Sequence, residues 1–154
     1  HPDRECVCAP GVVQKYLSRI SGPLLDRIDI HIEIVPVPFE KLSELKESES
    51  SEKVRERVIK ARQIQELRFR DIDGVYCNAQ MSSKQMRSFA QIDKAGSDLL
   101  KNAMQRLNLS ARAYDRIIKV ARTIADLDDA ENILSNHIAE AINYRNLDRE
   151  GWAG

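Results

Sequence analysis

The chain is poor in aromatic residues and cysteine, carries no net charge and has no long apolar run, and each shortage excludes something. Three Phe, four Tyr and one Trp in 154 residues cannot fill an interior, so the core has to be aliphatic. The chain is nevertheless 42% hydrophobic, enough for one domain or two small ones. Three cysteines, Cys6, Cys8 and Cys77, make no even disulfide framework, and a reducing cytoplasm is the expected compartment. No apolar stretch approaches the length of a transmembrane helix, so no membrane contact is expected, and the opening residues do not read as a signal peptide. No G-x-x-x-x-G-K-[ST] segment occurs, so the loop that cradles nucleotide phosphates is missing from these residues. The first residue is His1 and the opening reads like the middle of something, so a fragment of a longer protein is expected.

Lys plus Arg and Asp plus Glu balance at 24 each, which argues against a uniformly basic nucleic-acid binder. The charge is segregated, however. Residues 26–52 carry three basic against eight acidic side chains, and 53–70 carry seven against two. Residues 84–122 carry nine against three, and 123–154 two against seven. Basic faces on a neutral chain are either solvated surface or phosphate-facing surface, and composition does not choose between them.

Read in order, residues 11–21 have a helical face of Val12, Val13, Tyr16, Leu17 and Ile20. Gly22 and Pro23 end that run. Ile28, Ile30, Ile32 and Ile34 then alternate with Asp29, His31 and Glu33, which predicts a half-buried strand over 28–35, stopped by Pro36 and Pro38. A short helix is expected at 39–45 and a flexible serine-rich connector at 46–51. Ser51 reads as the cap of a helix over 52–70, with Val54, Val58, Ala61, Ile64 and Leu67 or Arg68 inward. A loop over 71–81 precedes a short helix capped by Ser82 or Ser83 and another over 93–107. Ser110 caps a strongly apolar helix whose polar stripe is Arg112, Asp115, Arg116, Lys119, Arg122 and Asp126. A last helix is expected over 131–144, then a frayed tail with Trp152. His31 and His137 receive no role.

Two arginines stand out. Arg27 lies between a tight turn and the predicted strand, flanked by Asp26 and Asp29. It either pairs with one of these carboxylates or reaches an anion outside its own fold. Arg112 lies in a first helical turn, where a cation opposes the helix dipole at a cost of several tenths of a kcal/mol. It is an inert exposed side chain, a partner of Asp115, or a ligand for an anion that the helix end also favours. Cys6 and Cys8 could give two thiolates to a metal, but zinc normally takes four ligands.

Ser21-Gly22-Pro23-Leu24-Leu25-Asp26-Arg27-Ile28-Asp29 closely resembles the arginine-finger segment of AAA+ ATPases of the magnesium-chelatase-like type, the ComM/YifB competence-protein family. Further words match in order: Ala61-Arg62-Gln63-Ile64-Gln65, Arg68-Phe69, Asn78-Ala79-Gln80-Met81 with Ser82, and Ser110-Ala111-Arg112-Ala113-Tyr114 continuing to Val120-Ala121-Arg122-Thr123-Ile124-Ala125-Asp126-Leu127. The resemblance implies a mainly α fold: the end of an AAA+ α/β core with one strand at 1–45, a linker at 46–51, and a helical lid bundle at 52–154. It implies that Arg27 points into the ATP site of a neighbouring subunit. It implies that Arg112, on the sensor-2 helix, contacts the γ-phosphate of ATP in its own subunit. ATP and Mg2+ are then cofactors of the whole protein, and these residues alone, without Walker A and Walker B segments, are expected to be inactive.

The partners implied are neighbouring subunits of a ring, most often a hexamer, and DNA, with branch migration in natural transformation as the expected work. A magnesium chelatase subunit is the paralogous reading. A helical nucleic-acid or protein-binding module without nucleotide chemistry is the competing class. Family members usually carry a second cysteine pair upstream in a Pro-Cys-Pro-Cys-Gly segment, so Cys6 and Cys8 would be half of a metal site.

Overall fold

The computed structural model describes residues 7–34, 36–39 and 49–145. Cys6, residues 40–48 of the expected short helix and connector, and the tail with Trp152 lie outside the described residues. The described elements are helices α1 (Pro10–Leu17), α2 (Gly22–Leu25), α3 (Ser51–Phe69), a 3-10 turn (Asn78–Gln80), α4 (Ser83–Phe89), α5 (Lys94–Arg106), α6 (Ala111–Leu127) and α7 (Ser135–Asn143). The mainly helical class expected from the sequence holds.

The helix starts follow from local chemistry. Ser82, Asp93 and Ser110 each accept a backbone N–H in the first turn of α4, α5 and α6. The cap of α3 is Ser50 rather than Ser51, its Oγ accepting from Lys53 N–H at 3.4 Å. Ser-Gly-Pro ends one helix and also starts another. The helix expected to run to residue 21 stops at Leu17, and Pro23 sits in the first turn of α2, where a missing N–H costs nothing.

Helix α6 is the centre of the bundle. It packs against α3, the 3-10 turn, α4 and α7, and α5 packs against α7. Ala113, Ala121 and Ala125 of α6 and Ala141 of α7 are buried, and their small side chains let neighbouring backbones approach closely. Ile117, Ile118, Ile133, Ile138 and Leu100 fill the space between, and Phe69 meets Phe89 edge-to-face at 5.7 Å between ring centroids. The last helix begins later than expected, at Ser135, because Ile133 is occupied in a bridge to Ile92. His137 has a structural role: its Nδ1 accepts Leu134 N–H at 3.0 Å, and its Nε2 faces the Asp128 carboxylate at 3.2 Å.

A buried polar cluster fastens α3 to α6. The Asp126 carboxylate accepts from both terminal nitrogens of Arg68 (2.7 and 2.5 Å), from Asn78 Nδ2 (2.7 Å) and from Arg122 Nε (3.1 Å). Arg122 also donates to the carbonyls of Glu131 and Ala130, and Gln65 accepts Asn78 N–H. Burial pushes the Arg122 pKa down from its ordinary value, while the Asp126 carboxylate pulls it back up and Arg68 lowers it further. This cluster resets the inward face of α3. Ala61, as expected, and Gln65 and Phe69 are buried, and of the alternatives Leu67 and Arg68 it is Arg68 that turns inward; Val54 and Val58, also expected inward, are exposed, as is Leu67.

The predicted strand is absent, and no β-strand occurs among the described residues. Ile30 and Ile32 are 46% and 66% exposed, and it is His31 between them that is buried. A strand needs a neighbour for its backbone groups. Here the segment's long-range backbone bond, among the described residues, runs from His31 N–H to the Tyr144 carbonyl at 2.8 Å. Helix α1 likewise buries none of its residues.

Asp126→Ala would leave two guanidiniums in a closed interior without their shared carboxylate. It is expected to cost about 3–5 kcal/mol in urea unfolding followed by circular dichroism. Breaking the exposed Lys60–Asp129 pair with Lys60→Ala is expected to cost less than about 1 kcal/mol in the same measurement.

Candidate functional site: two unpaired arginines on one side of the bundle

Arg27 stands just past α2. The turn continues beyond Leu25, with Asp26 N–H bonded to the Gly22 carbonyl and Arg27 N–H to the Leu24 carbonyl. Leu25 is buried and His31 closes back on it, Nε2 lying 3.3 Å from the Leu25 carbonyl. Arg27 is exposed, and among the described residues its guanidinium bonds only the Pro23 carbonyl, at 2.5 Å.

Neither flanking carboxylate takes it. Asp29 pairs with Arg116 of α6, and Asp26 faces Arg145 at 3.8 Å. Arg145 is fully buried and also donates to the Ile28 carbonyl. Of the two arrangements that the sequence allowed for Arg27, the structure therefore disfavours the local ion pair. Arg145 escaped sequence reasoning, although a lone cation closing α7 in an acidic stretch is a usable signal.

Arg112 is the second residue of α6. Asn108, in a left-handed conformation (φ 48°), turns the chain from α5, and Ser110 caps the helix through Ala113 N–H at 3.2 Å. Arg112 is exposed and makes no hydrogen bond or ion pair with any described residue, Asp115 included. Arg116 lies one turn further along the same face of α6. The Arg116–Asp29 pair thus brings the Arg27 turn to the side of the bundle that presents Arg112. No direct contact joins the two arginines.

Part of the remaining charged surface is paired, whereas the exposed side chains of Arg55, Arg62, Arg87 and Arg106 make no ion pair or hydrogen bond among the described residues. On α3, Arg57 pairs with Glu49, Lys60 with Asp129, Arg68 with Asp126, and Arg70 with Asp71 beyond the helix end. Those pairs remove much of the phosphate-facing surface that the helix's charge suggested. Arg122 and Asp126, at the end of the polar stripe, are buried. Cys8 is exposed, and among the described residues no three His, Cys, Asp or Glu side chains come together as a metal site. No helix among the described residues is long and apolar enough to cross a membrane.

Comparison with known proteins gives this geometry a context. Residues 48–145 match the family model described as magnesium chelatase, subunit ChlI C-terminal, and residues 1–42 match that of magnesium chelatase, subunit ChlI. The chain belongs to the magnesium-chelatase-like family, of the ComM/YifB type. It is 40% identical over 142 residues to competence protein ComM of Haemophilus influenzae and 38% identical over 143 residues to the uncharacterized protein YifB of Escherichia coli, covering 92% of this chain in each case. An uncharacterized Mycobacterium tuberculosis protein, Rv2897c, is 32% identical over 142 residues. The chain spans only about a quarter of the length of these relatives, 27–28%.

An unpaired cation in a first helical turn is a stability cost with no offset among the described residues. Arg112→Ala is therefore expected to leave the fold as stable or to stabilise it by a few tenths of a kcal/mol, read as an unchanged or raised urea midpoint. A drop of more than about 1 kcal/mol would show a structural partner for Arg112.

Proposed function

We propose that this chain is the lid and finger-bearing part of a ring-forming, ATP-hydrolysing motor, in which Arg27 is the arginine finger and Arg112 the sensor-2 arginine. What carries the reading is where two free guanidiniums fall. Arg27 and Arg112 are exposed and have no carboxylate partner among the described residues; Arg55, Arg62, Arg87 and Arg106 share that, but Arg27 and Arg112 lie in the finger-like and sensor-2-like segments, and the carboxylates flanking Arg27 are engaged elsewhere. Such groups fit a polyphosphate, whose charge grows on its transferred group in the transition state. Arg27 neutralises that charge on the nucleotide of a neighbouring subunit. Mg2+ arrives with the nucleotide and screens its phosphates; no ligand in this chain is assigned to it.

The resemblance implies that Arg112 acts on its own subunit's ATP. The Arg116–Asp29 pair favours another arrangement. With Asp29 against Arg116, the Arg27 turn lies on the helix face that bears Arg112, so both arginines address the same nucleotide, the neighbour's. The exposed apolar side chains of 12–34 fit the same picture, since an AAA+ core would cover α1 and pair the Ile28–Ile34 segment. The domain division follows: core end to residue 45, linker 46–51, lid from 52.

DNA is the proposed substrate track. The support is the likeness to a relative named a competence protein and the family resemblance of the finger and sensor words. Branched DNA is the first structure to try.

In the whole protein, Arg27→Ala is expected to lower ATP turnover by about 10³-fold or more while leaving ATP binding intact. Turnover with and without branched DNA, beside equilibrium nucleotide binding, checks this. Normal turnover in the variant would remove the finger assignment. No turnover in the wild type under any condition would favour a binding module.

A further inference from the structure

We propose that Arg116 and Arg145 are positioning residues for Arg27: they hold Asp29 and Asp26, the two carboxylates that would otherwise capture its guanidinium. The proposal rests on the reading of Arg27 as a finger and adds how that finger is kept available.

Arg27 has an acidic residue next to it and another two positions on. Within one turn, either carboxylate is at a high local concentration, and a charge-assisted bond to it is stronger than one to a neutral carbonyl. Left to itself, the segment would neutralise its own arginine. In the folded chain each carboxylate is drawn off by a cation from far along the sequence. Arg116 of α6 takes Asp29, and Arg145, fully buried beyond α7, faces Asp26. Arg145 also donates to the Ile28 carbonyl, and His31 N–H bonds the Tyr144 carbonyl, so the backbone on the far side of Arg27 is fastened to the lid. Arg27 is left with the Pro23 carbonyl, a neutral acceptor that a phosphate oxygen readily replaces.

The two lid contacts differ in exposure. The Asp29 and Arg116 side chains are 47% and 30% exposed, so that pair can be broken without opening the core. Arg145 has no such freedom, and its removal endangers the fold. The test therefore uses Arg116.

In the whole ring protein, Arg116→Gln frees Asp29 to compete for Arg27. The kcat for ATP is expected to fall about two- to fivefold, the range an exposed ion pair can shift a population, with KM for ATP nearly unchanged. Asp29→Asn alone removes the competitor with its holder and is expected to keep the wild-type kcat. The double variant Arg116→Gln/Asp29→Asn is expected to recover it. A simple brace behaves oppositely: Asp29→Asn alone would match the loss seen with Arg116→Gln, and the double variant would stay low. Either of those results, or an unchanged kcat in Arg116→Gln, overturns the proposal. Arg27→Ala in the same assay separates the two levels. If it turns over normally, the finger reading has failed; if it is inactive while Arg116→Gln is normal, only the positioning role has failed.

Discussion

The carboxylate of Asp126 is the point on which the helical bundle depends. It lies out of solvent on the central helix and gathers two arginines and an asparagine from three places in the chain. Arg68 comes from α3, Asn78 from the 3-10 turn, and Arg122 from one turn earlier on α6. A carboxylate without these donors would be expensive to bury, and the arginines without it more so. Each therefore enforces the others, and their common geometry sets how α3 lies on α6. Three of the family words, around Arg68-Phe69, Asn78 and Arg122 to Asp126, converge on this cluster. Much of the resemblance is thus a resemblance of packing.

With its C-terminal half fixed in this way, α6 presents one polar face of its N-terminal half outward. Arg112 and Arg116 stand there on one face, the first without a partner and the second holding Asp29. The turn bearing Arg27 then lies against the bundle, fastened by the bonds of Arg145 to the Ile28 carbonyl and of His31 N–H to the Tyr144 carbonyl. A change in lid position would carry the Arg27 turn with it. In the proposed ring motor, that would be a physical route by which nucleotide bound at one interface affects the next, and it needs no long chain of contacts.

Caps and helical periodicity made most of the bundle legible in the sequence. Ser82, Asp93 and Ser110 mark their helices because each offers a side-chain oxygen where the first N–H groups lack partners. The inward face of α3 was not legible. An apolar period points to Val54 and Val58, but the face is chosen by Gln65 and Arg68 seeking Asn78 and Asp126, and periodicity does not register buried polar partners. The isoleucine alternation at 28–34 forecast a strand, but the described residues offer that segment no neighbouring strand to pair with, and none forms among them. Arg27 was visible as a candidate from its setting, yet its two possible fates hung on Arg116 and Arg145. Those partners lie 87 residues from Asp29 and 117 from Ile28. No local pattern encodes such pairs.

The central claim is that Arg27 and Arg112 of one subunit serve the same neighbouring nucleotide. The most direct measurement is ATP turnover in mixed rings of the whole protein. One subunit carries Arg27→Ala and Arg112→Ala together and binds ATP; the other keeps both arginines but has a disabled phosphate-binding loop. Each is inactive alone. Turnover restored on mixing is the predicted result, because the intact arginines then face the competent nucleotide site. Mixed rings that assemble and remain inactive would contradict the account.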